Sequence, residues 1–148
     1  MTASITSLES VRRKTIAPEL YAPVLLVPGE YELAYISHRV TKQFNRGSLA
    51  LYFQVLEFDK TVIVRHFNVA LTGSGKSRSF RPAPQSALVR DFRRLFTQRI
   101  GRLDRFPLHL LKDRAVIGDI GTVTEDHEQK QLDETSQYSV VRKLLRCV

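Results

Sequence analysis

Two residue types recur together through the middle of this chain, cations and flat rings. Tyr31, Tyr35, Arg39, Lys42, Phe44 and Arg46 fall within sixteen positions, Tyr52 follows, and Arg65 stands two residues before Phe67. An unpaired polynucleotide asks for this mixture. Guanidinium and ammonium groups track its phosphates, and aromatic rings stack on bases that have no partner strand, at roughly 1–3 kcal/mol per base. A third basic group, Lys76, Arg78 and Arg81 around Phe80, lies in the Gly- and Pro-containing stretch 72–84. That stretch reads as a mobile basic loop that closes on a polyanion. The same aromatics could instead be core, and Phe53, Phe92 and Phe96 read that way; Tyr52, Tyr35 and Phe44 are balanced between the two roles, since tyrosine tolerates a wet edge.

Other chemistries find less support. Gly73-Ser74-Gly75-Lys76-Ser77 resembles a phosphate-binding loop only in its second half. The first glycine of G-x-x-x-x-G-K-[ST] would be residue 70, which is Ala70. Pro82 and Pro84 follow where such a loop needs a helix. His38, His66, His109 and His127 have no metal-ligand spacing to one another or to Cys147, and the run Asp126-His127-Glu128 cannot turn three adjacent side chains to one point. No nucleophile elbow or metalloprotease signature is present. The expectation is a protein that is not an enzyme and holds no metal and no cofactor.

The wider composition agrees with an anionic partner. The chain has 148 residues, enough for one domain with a real core. Its net charge is +8, which holds polyanions near it. The charge is segregated. From His38 to Arg105 there are 14 Lys and Arg against Glu57, Asp59, Asp91 and Asp104, whereas 113–137 carries seven acids and two bases. Of the 23 bases 16 are arginine, the better phosphate fork and stacking cation. A lone cysteine excludes an internal disulfide framework. Residues 1–10 lack a secretory pattern, and the longest apolar run, Leu20 to Val27, is broken by Pro23 and too short to span a bilayer. A cytoplasmic protein with no membrane partner is expected.

The positioning elements follow from periodicity. Residues 1–27 read as an arm with a short helix near Ser7–Lys14, and 28–148 as a single domain. After the Pro28-Gly29 turn, Tyr31, Leu33 and Tyr35 alternate as a strand. Asn45-Arg46-Gly47 marks a turn. Ser48–Phe58 and Val62–Val69 form a hairpin. Leu88, Phe92, Leu95 and Phe96 share a helical face opposite Arg90, Asp91, Arg93, Arg94 and Gln98. Arg114–Thr124 is a strand bent at Gly118 and Gly121, 125–137 an acidic loop, and Tyr138–Val148 a strand or short helix. The expected class is mainly β with one helix, in the order β-β-β-α-β-β. That is the element order of an OB-fold-like Greek-key barrel, although an α+β sandwich has the same order.

Four segments carry a likeness: Pro28-Gly29-Glu30-Tyr31; Lys42 to Gly47 leading into Leu49–Phe53; Arg65-His66-Phe67-Asn68-Val69; and Tyr138-Ser139-Val140-Val141. Over roughly residues 28–145 the chain resembles small proteins of phages, plasmids and integrated elements, and in layout it is similar to phage-type single-stranded DNA-binding proteins with an OB fold. The resemblance implies base-tolerant binding of single strands during replication or recombination, on the face of the first three strands. It favours DNA over RNA, which no residue here decides. Such proteins often end in an acidic tail, whereas this chain ends Arg142-Lys143-Leu144-Leu145-Arg146-Cys147-Val148. The expected site is a groove edged by Arg39, Lys42, Arg46 and Arg65, with Tyr52 and Phe44 stacking and Lys76, Arg78 and Arg81 closing over it. The rival expectation is a protein–protein assembly module using the charge-polarised surface, and pairing of two copies is compatible with either.

Overall fold

The computed structural model describes residues 24–43, 45–73, 78–97, 100–125, 128–133 and 136–148. Among these residues are six strands and one α-helix: β1 (Gly29–Gln43), β2 (Arg46–Val55), β3 (Val62–Thr72), β4 (Ser79–Arg81), α1 (Ala87–Leu95), β5 (Ala115–Val123) and β6 (Tyr138–Cys147), with two 3-10 turns between α1 and β5. The strands form one antiparallel sheet in the order β4-β3-β2-β1-β5-β6.

The expected class holds at this level among the described residues, mainly β with a single α-helix. The hydrogen-bonded sheet is open, ending at β4 on one side and β6 on the other. β4 lies inside the stretch read from sequence as loop. Phe80 explains it, because its ring is buried while Ser79 and Arg81 are exposed, a strand's alternation over three residues. The C-terminal segment is a strand throughout. The helix expected near Ser7–Lys14 lies outside the described residues.

β1 is the spine. Its first half pairs with β5, Gly29 opposite Ile120 and Leu33 opposite Val116. Its second half pairs with β2, Tyr35 opposite Phe53 and Lys42 opposite Gly47. Between Tyr35 and Ser37 the register slips by one residue. A bulge there bends the strand and increases its twist. With the slips along β5–β6 it curls the sheet, so β3 and β6 approach each other without pairing.

Period-two alternation fills the concave side. Leu33, Leu49, Leu51, Phe53, Val55, Ile63, Phe67, Val116, Ile120, Val141 and Leu144 are buried there against Leu88, Phe92 and Leu95 of α1. Phe106 closes on Phe92 edge-to-face, with ring centroids 4.6 Å apart. α1 starts at Ser86, whose hydroxyl accepts from the Val89 amide, and carries Arg93 and Arg94 in its last turn, where cations offset the helix dipole.

One helical residue departs from its expected place. Asp91 reads from sequence as solvent-facing, yet it is 1% exposed. Its Oδ2 accepts from Arg65 Nε and from the Leu144 amide, each at 3.2 Å, and its Oδ1 accepts from Arg94 at 2.7 Å. A carboxylate is held in that place because three donors replace its water. At the start of β6 the segment 24–27 takes the neighbouring position: Ser139 donates from its amide to the Val24 carbonyl at 2.8 Å, and the Leu26 amide donates to Ser139 Oγ at 2.8 Å.

Candidate nucleic-acid interface

The β1–β2 connection is tight. Gln43 is the last partner of Arg46, and Asn45 adopts φ 62°, the left-handed conformation that asparagine tolerates in turns. Lys42 and Arg46 are therefore fixed on either side of a short turn. Gly47 follows, opposite Val69 of β3. A Cβ on Gly47 would stand 2.3 Å from the Val69 carbonyl oxygen and 2.7 Å from the Leu71 side chain. Only glycine lets the turn sit this close to β3.

The close approach leaves a cleft of about 550 Å³ between this turn and the end of β3. Lys42, Asn45, Arg46 and Gly47 line one wall, Asn68 to Leu71 with Gly73 line the other, and Arg78 enters from the residue before β4. Three basic residues and two asparagines thus line one space, and none of its described lining residues is acidic. No described acid is ion-paired with Lys42, Arg46 or Arg78.

The convex face of the sheet continues from the cleft. Residues directly opposite in an antiparallel pair share a face. On that face Thr41, Ser48 and Asn68 form one row, Arg39, Ala50 and His66 the next, and Ser37, Tyr52 and Val64 a third. Arg81 lies opposite Ala70 on the same side. Tyr52 is half-buried, so its ring is supported by neighbours yet reachable. Ala50, between Arg39 and His66 in its row, is buried. Partial desolvation, and then the Arg65 charge, hold the His66 pKa below its ordinary value even though its side chain is largely exposed. His66 is therefore neutral at pH 7.

The expected groove is rearranged in one respect. Arg65 does not edge it. It pairs with Leu51 in register, points to the concave side, binds Asp91 and lies 4.3 Å over the Phe67 ring. Tyr52 and Arg65 are on opposite faces because Tyr52 aligns with Val64, one residue away in a period-two strand. Lys42, Arg46 and Arg78 come together in the cleft, while Arg39, Tyr52 and Arg81 share the convex face. Phe44 and Lys76 lie outside the described residues. His66, Asn68 and Asn45 were missed. The register of the β2–β3 hairpin would have found the first two, since every residue of β3 with the parity of Val64 faces out with Tyr52.

The described bases among the fourteen central ones do not form one surface. Arg65 and Arg94 are paired with Asp91, and Arg102 with Asp104 at 2.6 Å. Arg90 and Arg93 are exposed on α1 and Arg105 on a 3-10 turn. A gradient along β1 remains. Its first residues include Glu30 and Glu32, and its last half Arg39 and Lys42. The Leu56 amide donates to the Glu32 carbonyl at 3.0 Å, which places the Glu57- and Asp59-bearing turn toward the acidic half. Gly29 opposite Ile120 makes the acidic β5–β6 connection leave from that half too.

Among the described residues no group of three or more His, Cys, Asp or Glu could hold a metal ion, and no helix is long and apolar enough to cross a membrane. Comparison of the chain with protein-family models, with curated proteins and with solved structures finds no match.

Proposed function

We propose that this chain is a sequence-tolerant single-stranded DNA-binding protein, without catalytic activity, that serves replication or recombination of a mobile element. The observation that carries the reading is the cleft of Lys42, Arg46 and Arg78, with no acid among its described lining residues, continuous with a convex face that presents Tyr52 and Arg39. Cations held by rigid strands neutralise phosphates, and a supported ring meets bases. The proposed fold is an OB-type barrel. Its support is the helix between the third and fourth long strands, with β3 and β6 approaching beside α1. In that fold the second and third strands and the first turn bind oligonucleotides, and here those elements carry the cleft.

The gradient along β1 favours one other reading, assembly of copies through ends of opposite charge. A comparison of substrates separates the two. Fluorescence anisotropy with a labelled mixed-sequence single strand is expected to show binding that the same sequence as a duplex does not match. Equal affinity for both, or for neither, contradicts single-strand recognition.

A further inference from the structure

We infer that the cleft at the β1–β2 turn seats a terminal phosphomonoester of the bound strand, in preference to an internal phosphodiester. This rests on the single-strand reading above and specifies what that site grips.

The shape comes first. About 550 Å³ is the size of a small-ligand pocket and takes a nucleotide or so of chain. Its floor is made where Gly47 lies against the Val69 carbonyl and Leu71. The donors come from three separate places in the fold: Lys42 at the end of β1, Arg46 at the start of β2, and Arg78 ahead of β4. An internal diester offers one negative charge on two free oxygens. A terminal monoester carries about −1.5 to −2 with three acceptor oxygens, and so can accept from cations that arrive from three directions. The carboxamides of Asn45 and Asn68 add neutral donors.

The route out of the cleft agrees. Arg46 lines it and also begins the convex row Arg46, Ser48, Ala50, Tyr52 of β2. Six residues of strand place Tyr52 about 20 Å from Arg46. The ring therefore meets bases well inside the strand, and grip on the end is separable from stacking.

Four probes of one sequence test this: 5′-phosphorylated, 3′-phosphorylated, unphosphorylated at both ends, and covalently circular. One phosphorylated end is expected to bind about tenfold tighter than the unphosphorylated strand, the value of one further charge-assisted hydrogen bond. The circle should do no better than the unphosphorylated strand, and the two phosphorylated probes show which end is seated. The advantage should shrink between pH 7.5 and 5, as the monoester takes up its second proton near about pH 6. Among the described residues the basic ones lining the cleft are Lys42, Arg46 and Arg78. His66, on the adjoining face, charges equally for every probe and cancels in the ratio. Arg46→Ala and Arg78→Ala should abolish the preference, while Tyr52→Ala should weaken all four probes and keep it. Equal binding of all four overturns the inference and leaves the single-strand reading standing. Binding of none overturns both.

Discussion

Asp91 Oδ2 lies 3.2 Å from the Leu144 amide nitrogen. This contact joins α1 to β6 at an edge that has no strand neighbour, and the same oxygen takes Arg65 Nε from β3. One buried carboxylate therefore ties together the two strands that the curled sheet brings close. It also explains why an arginine that reads as a binding residue is structural.

Replacing Asp91 by alanine leaves Arg65, whose side chain is 16% exposed, without its partner, and strands the Leu144 N–H. Breaking one side of a buried pair costs about 3–5 kcal/mol. Urea unfolding of Asp91→Ala should show a loss of that order. A loss below about 1 kcal/mol contradicts the assigned role.

Gly47→Ala forces a Cβ to within 2.3 Å of the Val69 carbonyl oxygen, a backbone atom that cannot rotate aside. Overpacking of this kind costs about 1–3 kcal/mol. Gly101→Ala is the control, since nothing lies within 4 Å of its added Cβ, and it should stay within about 0.5 kcal/mol of wild type. Equal melting temperatures for the two variants would show that the turn is not pressed against β3.

Tyr52→Ala should reduce single-strand affinity by about 5- to 150-fold, corresponding to about 1–3 kcal/mol of stacking, while Tyr52→Phe keeps most of it. A Tyr52→Ala protein that binds like wild type would falsify the stacking role.

The parts legible in the sequence were those fixed by local pattern. Alternation in Ser48–Phe58, the β-branched run Val62–Val69 and the change of period at Leu88 located β2, β3 and α1, although β2 begins at Arg46 and ends at Val55. Placing the site needed long-range information. Whether Arg65 faces the strand or the helix depends on the β2–β3 register, and a shift of one residue reverses every side chain. Asp91 sits among arginines that look like a solvent face, and only the neighbouring β6 edge makes burial of its carboxylate favourable. β4 is three residues long, held by one buried ring, which is below what periodicity can detect.

Stability should also depend on pH through the Tyr35–His38 contact, where the hydroxyl and Nδ1 are 2.9 Å apart. Desolvation, and then the Lys112 charge, hold the His38 pKa below its ordinary value, and His66 is shifted the same way. The unfolded chain then binds more protons than the folded one as pH falls through about 6.5. Stability from this source is complete above that pH and is lost below it. Burial pushes the Tyr35 phenol up to about 12, so its share is complete below pH 10.0 and is lost as pH rises toward 12. The melting temperature should fall from pH 7.5 to 5.5, and less steeply in His38→Gln. An identical fall in that variant contradicts the assignment.

The central claim is that the cleft neutralises phosphates, and its most direct measure is the slope of log affinity against log salt for a mixed single strand. Each neutralised phosphate contributes about 0.7 to that slope. Lys42→Ala, Arg46→Ala and Arg78→Ala should each flatten it by about that amount, whereas Arg90→Ala, exposed on α1, should leave it unchanged. Slopes that are the same in all four variants, or that fall only with Arg90→Ala, would contradict the account.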